Sequence, residues 1–151
     1  MYLSMITWEY VRFLRTLIHV PFGLKGIMHP DDARTCLDCG LDFIWISNHG
    51  GRQLDGAPSS ISVLSEIVEA VGGRCEVMFD GGVRSGQDIA KALALGARGA
   101  LIGKSFLYAL SAAGEAGVTK AIEILRNELR VTLALTGTST IDAVGAHILR
   151  T

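Results

Sequence analysis

The chain has 151 residues and a formal net charge of −1 at pH 7, which suits one domain and does not favour nucleic acid or an anionic membrane surface as a partner. Hydrophobic residues make up 49% of the sequence and charged residues 19%, and the mean hydropathy is +0.36. This balance favours strands buried on both faces, as in a parallel α/β fold, or apolar surface that a partner covers. Because no apolar run reaches the roughly 20 residues of a membrane span, we predict no transmembrane segment.

The cysteines bear on metal binding and on the redox environment. Cys36 and Cys39 form a Cys-x-x-Cys pair, but the sequence has no second pair of ligands at a spacing that suits zinc. We therefore predict no metal site and interpret both residues as small apolar residues of a helix. Free thiols suit a reducing compartment, so the predicted location is cytoplasmic.

Helical and extended patterns alternate along the first part of the chain. Apolar residues at helical spacing predict a helix over residues 7–18 with Thr7 as its N-cap, followed by a short strand that ends at Lys25. A Pro-Asp-Asp start predicts the next helix over residues 30–40. The apolar run at residues 42–46 predicts the second strand.

The same alternation continues in the second half. A helix is predicted over residues 61–71, where a Gly-Gly pair stops it, and a strand over residues 76–79. The capping box at residues 85–88 begins a helix that runs to Leu95, and residues 99–102 form the fourth predicted strand.

The C-terminal part is predicted to be helical. One long helix ends at Gly137, and a second capping box at residues 139–142 begins a short terminal helix. A helix followed by four strand–helix units predicts a parallel sheet, and no linker interrupts the pattern. We therefore predict one domain, residues 1–151.

Each predicted strand ends in polar or glycine-rich residues. Because the carboxyl ends of parallel strands lie on the same side of a sheet, these groups should converge on one face, as in a (β/α) barrel or an open α/β sheet. An inward-facing Lys25 would need an anion or an electron-rich group to meet it, and its alternative is a solvated lysine at a turn. The converging groups are Lys25, residues 47–52, residues 80–84 and residues 103–104.

Residues 47–55 (SNHGGRQLD) are the strongest candidate for catalysis. His49 can accept a proton near neutral pH, which suits a general base, and Arg52 offers a planar fork for a carboxylate. The alternatives are a solvated histidine and an arginine that pairs only with Asp55.

Two glycine-containing turns predict an anion site. Gly81 and Gly82 follow the third strand and precede Arg84 and a capped helix, so bare backbone N–H groups and a helix dipole could bind a phosphate. Gly103 and Lys104 after the fourth strand would form the second wall of this site. The alternative is a pair of ordinary glycine turns.

Several blocks of sequence, in this order, resemble the FMN-dependent α-hydroxy-acid oxidases and dehydrogenases, the family of glycolate oxidase, lactate oxidase, L-lactate dehydrogenase and mandelate dehydrogenase. The resemblance covers nearly the whole chain and implies FMN as cofactor and a small (S)-2-hydroxy acid as substrate. The blocks are residues 24–27 (LKGI), 31–34 (DDAR), 47–55, 80–86 (DGGVRSG) and 133–137 (LALTG).

The resemblance also implies a role for each candidate residue. His49 would take the hydroxyl proton or the α-proton while a hydride equivalent passes to the flavin, and Arg52 would bind the substrate carboxylate. Lys25 would lie at the N1/C2 carbonyl edge of the flavin and stabilise negative charge there, and Ser47 would hydrogen-bond the ring. The ribityl phosphate would be bound by Asp80, Gly81, Gly82, Val83, Arg84, Gly103 and Lys104.

The chain departs from the family pattern in two ways. Lys104 stands where the family usually carries the arginine of Gly-Arg-Pro, which keeps the charge but loses the planar fork. The family barrel needs about 250 residues, so the chain resembles only the C-terminal half, strands five to eight, of a TIM (β/α)₈ barrel. The other half would bring substrate-binding tyrosines and the aspartate that orients His49.

A half barrel has two open sheet edges, which predicts a homo-oligomer or a complementing N-terminal half, with weak or no catalysis by the chain alone. One alternative is a non-catalytic remnant that binds FMN or a phosphate and assembles with other chains. Another is a different FMN barrel, such as an isopentenyl-diphosphate isomerase or an IMP-dehydrogenase-like protein, which shares the phosphate site but lacks the His49–Arg52 motif.

Overall fold

The computed structural model describes residues 6–149, so the predicted domain of residues 1–151 extends past the described part at both ends. Its centre is a four-stranded sheet in which every neighbouring pair is parallel and the strand order is β1-β2-β3-β4. The predicted α/β class, with helices following the strands of a parallel sheet, is confirmed. The strands are β1 (Gly23–Ile27), β2 (Phe43–Ile46), β3 (Glu76–Asp80) and β4 (Gly99–Leu101).

Two helices begin at the caps that the sequence predicts. The Thr7 side chain accepts a hydrogen bond from Tyr10 N, and Ser85 forms the predicted capping box with Asp88. The α-helices are α1 (Trp8–Leu17), α2 (Pro30–Asp38), α3 (Ser60–Val71), α4 (Gly86–Ala94) and α5 (Lys104–Leu135), and 3₁₀ turns cover His49–Gly51, Ile141–Ala143 and Ala146–Ile148. Among the described residues, no helix combines the length and the apolar character that crossing a membrane requires.

The hydrophobic core lies between the sheet and the helices. Ile44, Ile46 and Phe79 alternate along β2 and β3 and are at most 2% exposed. They belong to one cluster with Leu64 and Ile67 of α3. Burying each such side chain contributes about 1.5–3 kcal/mol to folding.

The opposite face of the sheet has less cover. Trp45 alternates with Ile44 and Ile46, so its side chain lies on the face away from the helices and is only partly buried. Its indole N–H is buried without an acceptor among residues 6–149. Trp8, in contrast, packs against the core.

The C-terminal part differs from its prediction in two places. Helix α5 begins directly after β4, at Lys104, and is interrupted at Ala113 and Gly114, where the backbone leaves helical values. The predicted capping box at residues 139–142 does not form: Thr140 is the N-cap of a 3₁₀ turn and its side chain makes no capping bond. The backbone is extended at Val144 and Gly145, so only one short turn forms after the motif.

Candidate functional site

Three polar side chains from neighbouring strands form a hydrogen-bonded group, here called the Lys25 cluster (Lys25, Ser47 and Asp80). Lys25 Nζ donates to Ser47 Oγ at 2.5 Å and lies 2.9 Å from Asp80 Oδ2. The Ser47 hydroxyl donates to Asp80 Oδ1 at 2.6 Å. The ammonium also lies 5.1 Å from the centre of the Trp45 ring. The alternative of a merely solvated lysine is therefore not what the structure has, because a carboxylate and a ring face meet this charge.

Lys25 lies inside β1 and not at its end, which corrects the predicted strand boundary. The pairing with β2 shifts register between Lys25 and Ile27, so Gly26 forms a bulge. Gly26 has a φ of 97°, a value that glycine adopts at little cost. The bulge turns the backbone of β1 at the point where it meets the loop after β2.

His49 lies against that bulge. A Cβ atom placed on Gly26 would approach His49 Cε1 to 2.8 Å, so the absence of a side chain there makes room for the imidazole. The backbone N–H of His49 donates to Ser47 Oγ at 3.1 Å. The candidate base is thus adjacent to the Lys25 cluster. Within residues 6–149, its imidazole has no hydrogen-bond partner.

Arg52 is exposed and forms no ion pair with any residue in the 6–149 range. The Asp55 carboxylate instead accepts a hydrogen bond from Gly56 N at 3.0 Å. The alternative in which Arg52 serves only as a partner for Asp55 is therefore not seen. Its guanidinium is available to a carboxylate from outside.

The loops after β3 and β4 leave open backbone. A Cβ atom on Gly82 or Gly103 would meet no heavy atom within 4 Å. The Arg84 guanidinium lies 5.7 Å from the centre of the Tyr108 ring. We call Gly82, Arg84, Gly103 and the N-terminus of α5 the open end of the site. Its donors, backbone N–H groups and a guanidinium, fit a phosphate.

The N-terminus of α4 does not contribute to that open end, which corrects the sequence prediction. Asp88 Oδ2 accepts hydrogen bonds from the backbone N–H groups of Arg84 and Ser85, each at 2.9 Å. Gly86 N donates to Glu128 Oε2 at 2.9 Å. Burial alone would raise the pKa of Asp88. The hydrogen bonds from Arg84 and Ser85 and the charge of Lys91 outweigh it, so the pKa lies below its ordinary value. The helix dipole of α4 is thus already matched by the chain's own carboxylates.

The backbone N–H groups at the N-terminus of α5 are available to an anion, which was the prediction for the N-terminus of α4. No side chain caps α5, and the first N–H groups of a helix have no partner within the helix. Ser105 Oγ donates to the carbonyl of Val83 at 3.0 Å, which joins the loops after β3 and β4. Gly103 and Lys104 were predicted as one wall of the anion site, but the start of this helix was not predicted. The apolar run at residues 106–108 was the signal that could have revealed it.

Four of the predicted phosphate-binding residues make contacts of another kind within the chain. Both carboxylate oxygens of Asp80 are engaged in the Lys25 cluster. The Val83 side chain is 5% exposed and belongs to the hydrophobic core, so only its backbone is available. Lys104 Nζ donates to the carbonyl of Gly50 at 2.9 Å. Gly81 packs against Ser60, since a Cβ atom on it would lie 2.6 Å from Ser60 Oγ.

A four-stranded half of a (β/α) barrel, with cationic and glycine-rich groups at the carboxyl ends of its strands, defines a partial α/β enzyme fold whose site suits an anionic ligand. The model of the FMN-dependent dehydrogenases matches residues 1–151, and the chain belongs to this family. The predicted resemblance is confirmed, as is the part of a TIM barrel that it implied.

Individual relatives agree with this assignment. The chain is 48% identical over 145 residues to the peroxisomal (S)-2-hydroxyacid oxidase GLO3 of Arabidopsis thaliana, covering 96% of the chain and 40% of that protein. It is 48% identical over 144 residues to an L-lactate dehydrogenase of Caulobacter sp. (strain K31), covering 95% and 38%. A solved mandelate oxidase with a monooxide FMN adduct is 48% identical with a TM-score of 0.89, covering 92% of the chain and 44% of that structure. The chain therefore spans about 40% of the length of the curated relatives it matches.

Proposed function

We propose that the chain supplies the FMN- and substrate-binding face of an enzyme that oxidises a small (S)-2-hydroxy acid to the 2-oxo acid. The observation that carries this proposal is the position of His49. Its imidazole lies against Gly26, the residue that follows Lys25 in β1. A base, a cation and an open anion site then share one face of the sheet. Residues 1–151 would form one partial domain of that enzyme.

The donors of the site suit the two ends of FMN. Gly81, Gly82, Arg84, Gly103 and the backbone at the start of α5 would bind the ribityl phosphate. Lys25 and Ser47 would bind the polar edge of the flavin ring, where the ammonium stabilises negative charge. When bound, FMN supplies the two-electron acceptor of the reaction.

The substrate would be bound and deprotonated by the loop after β2. Arg52 would bind the substrate carboxylate through its planar fork, which fixes the orientation of the acid. His49 would accept a proton from the substrate at its imidazole nitrogen. The hydrogen bond between Ser47 Oγ and His49 N keeps the base beside the Lys25 cluster.

The uncovered surfaces suggest that the chain acts together with a second half barrel, either the complementing N-terminal half or another copy. Strands β1 and β4 are the edges of the sheet. Helix α1 exposes an apolar stripe opposite its buried Val11, and the indole N–H of Trp45 has no acceptor among residues 6–149. The stripe consists of Tyr10, Phe13 and Leu17, which are 47–59% exposed.

We further propose a cytoplasmic location, since the chain has three free cysteines and two of them are buried in the core. Burial raises the pKa of the Cys36 thiol to about 12, which keeps it protonated and inert.

A second candidate function is a non-catalytic half barrel that binds FMN or a phosphate. One observation favours it: no residue in the 6–149 range orients the His49 imidazole, whereas the open end already has its donors. The two candidates differ in whether the loop after β2 recognises an acid.

The experiment titrates the purified chain with FMN and then adds oxalate or pyruvate while the flavin absorbance is recorded. We expect weak FMN binding, a spectral change on adding the acid, and little turnover of lactate or glycolate. Arg52→Met should abolish the spectral change but leave FMN binding intact. If FMN binds and no acid perturbs its spectrum, the non-catalytic candidate replaces the enzyme. If FMN does not bind at all, both candidates fail for the isolated chain.

A further inference from the structure

We propose that Ser60, a buried residue at the start of α3, is a positioning residue for the loop after β2, which carries His49 and Arg52. It acts through Asn48, the residue before His49, which lies 12 positions earlier in the chain than Ser60. This inference rests on the proposed function, since it concerns the candidate base and the candidate carboxylate-binding residue of that same site.

Asn48 joins the start and the end of this loop. Its side-chain Oδ1 accepts a hydrogen bond from Gly50 N at 3.0 Å, and its Nδ2 donates to the carbonyl of Pro58 at 3.3 Å. Its own carbonyl accepts from Gly51 N at 3.0 Å. Residues 48–58 therefore form a closed loop whose two ends meet at a single side chain, and both candidate residues of the site lie inside it.

The Ser60 hydroxyl attaches this closed loop to helix α3. Ser60 Oγ accepts a hydrogen bond from Asn48 N at 3.1 Å, and Ser60 is 1% exposed. Helix α3 is itself fixed, because Leu64 and Ile67 are fully buried in the hydrophobic core. Asn48 is thus bonded through its backbone to a rigid element and through its side chain to both ends of the loop.

The loop after β3 covers the hydrogen bond between Ser60 and Asn48. A Cβ atom on Gly81 would lie 2.6 Å from Ser60 Oγ and 3.3 Å from Asn48 Oδ1, so the bare backbone of Gly81 packs against both residues. Gly81 has a φ of 108°, a value that glycine adopts at little cost. Because the chain itself encloses Ser60, a ligand at the carboxyl face has no access to this hydroxyl and cannot replace Asn48 N as its partner.

The loop needs a fixed point because its conformation is unusual. His49, Gly50 and Gly51 have φ values of 55°, 69° and 72°, so three successive residues lie in the left-handed region. Side chains rarely adopt this region and glycines adopt many others, so contacts with the surrounding structure must select it. In this conformation the imidazole lies against Gly26. The bond to Ser60 fixes the residue that precedes these three, which sets the direction in which the loop leaves β2.

The test measures amide hydrogen exchange in the full chain and in three variants, Ser60→Ala, Ser60→Thr and Ser62→Ala. Ser62 is the matched control, because it is an exposed serine in the same helical turn. Its hydroxyl donates to the carbonyl of Ser59 at 2.7 Å, so Ser62→Ala also removes one hydrogen bond at the start of α3. The two alanine variants therefore differ in whether the lost bond reaches the loop.

We expect exchange at Asn48, Gly50 and Gly51 to become about three- to tenfold faster in Ser60→Ala, as loss of one hydrogen bond predicts. Ser60→Thr keeps the hydroxyl and should restore the slow exchange. Ser62→Ala should leave all three amides unchanged. If Ser60→Ala does not fold, Ser60→Cys makes the same comparison, because a thiol is a weak acceptor.

The same variants report on the imidazole through the NMR signal of the His49 Hε1 proton, recorded at one pH. Because Cε1 lies against Gly26, this signal should shift in Ser60→Ala and return to its place in Ser60→Thr. It should not move in Ser62→Ala. A role of Ser60 limited to its own helix would leave the signal where it is in all variants.

Faster exchange confined to α3, with the amides of Asn48, Gly50 and Gly51 unchanged, would overturn the proposal and make Ser60 a residue of its helix alone. An unshifted Hε1 signal in Ser60→Ala would overturn it as well. Both measurements need neither flavin nor turnover, so they are independent of the enzyme assay. Failure of the proposed function would instead appear in the unaltered chain, as absence of a flavin spectrum or of its response to an acid.

Discussion

The two ends of the site are built in opposite ways. In the Lys25 cluster each polar atom already has a partner within the chain, at 2.5–2.9 Å. At the open end, Gly82 and Gly103 meet nothing within 4 Å and α5 has no side-chain cap. The first end is organised before any ligand arrives, and the second has donors that no other group of residues 6–149 engages and that a ligand can take from water.

This difference indicates that the Lys25 cluster contributes to the stability of the ligand-free chain, whereas the open end contributes to ligand affinity. Substitutions at the bonded end should lower the free energy of unfolding, because they leave partly buried polar groups without partners. Substitutions at the open end should leave stability nearly unchanged and weaken binding. Two glycines next to each other offer the sharpest test of this separation.

We expect Gly81→Ala to lower the free energy of unfolding by about 2–4 kcal/mol, because its Cβ would lie 2.6 Å from Ser60 Oγ and its φ is 108°. Gly82→Ala shares the positive φ, 81°, but meets no neighbour, so its cost should be only about 1 kcal/mol. Urea denaturation of both chains measures the difference. Equal costs would show that the loop after β3 is loose along its whole length.

We expect Asp80→Asn to cost about 2 kcal/mol, because the Lys25 ammonium and the Ser47 hydroxyl would lose a carboxylate partner. Only 18% of the Asp80 side chain is exposed, so water compensates little. Asp38→Asn, an exposed carboxylate in α2, is the control and should change stability by less than about 0.5 kcal/mol. Urea denaturation measures the loss of unfolding free energy in both variants. Similar losses in Asp80→Asn and Asp38→Asn would contradict a structural role for the Lys25 cluster.

At the open end we expect Arg84→Ala to raise the dissociation constant of FMN about tenfold while stability changes by less than about 0.5 kcal/mol. Arg84→Lys should lose less, about threefold, because it keeps the charge without the fork. Quenching of flavin fluorescence measures the binding. A stability loss in Arg84→Ala without any loss of affinity would place this residue with the bonded end.

The smallest expected effect concerns the N-terminus of α4. Asp88→Asn should cost about 1 kcal/mol at pH 7, as loss of a cap does. Because the pKa of Asp88 is lowered in the folded chain, its contribution is present above about pH 4 and is lost as pH falls through the folded pKa. The difference between the two chains should therefore shrink on acidification. A difference that stays constant down to pH 3 would mean that the Asp88 charge is not involved.

Local patterns predicted the elements well where the signal was contained in a few residues. The capping box at residues 85–88 and the N-cap Thr7 were read correctly, since both depend on hydrogen bonds within one turn. The parallel sheet was predicted from the alternation of strand and helix patterns along the chain. The box at residues 139–142 did not begin a helix, because the backbone becomes extended at Val144 and Gly145 directly after the 3₁₀ turn.

Contacts between distant residues could not be predicted in this way. Asp80 was expected to help bind phosphate, but its neighbour in space is Lys25, 55 positions earlier in the chain. Lys104 was expected in the same role, and it lies on Gly50 instead. Each carries a charge whose partner is set by how neighbouring strands align, and a linear pattern does not contain that information. The roles of these residues in binding and catalysis stay predictions.

The order of the strands has a consequence for how the chain reaches its fold. Each strand pairs only with its neighbours in sequence, so no strand must wait for a distant segment before it finds an edge. The cost of loop closure rises with the number of residues between the paired strands. Paired residues lie 20 positions apart between β1 and β2 (Gly23 and Phe43), 21 apart between β3 and β4 (Met78 and Gly99) and 33 apart between β2 and β3 (Phe43 and Glu76). We therefore expect the two outer pairs to form first and the β2–β3 pairing to join them.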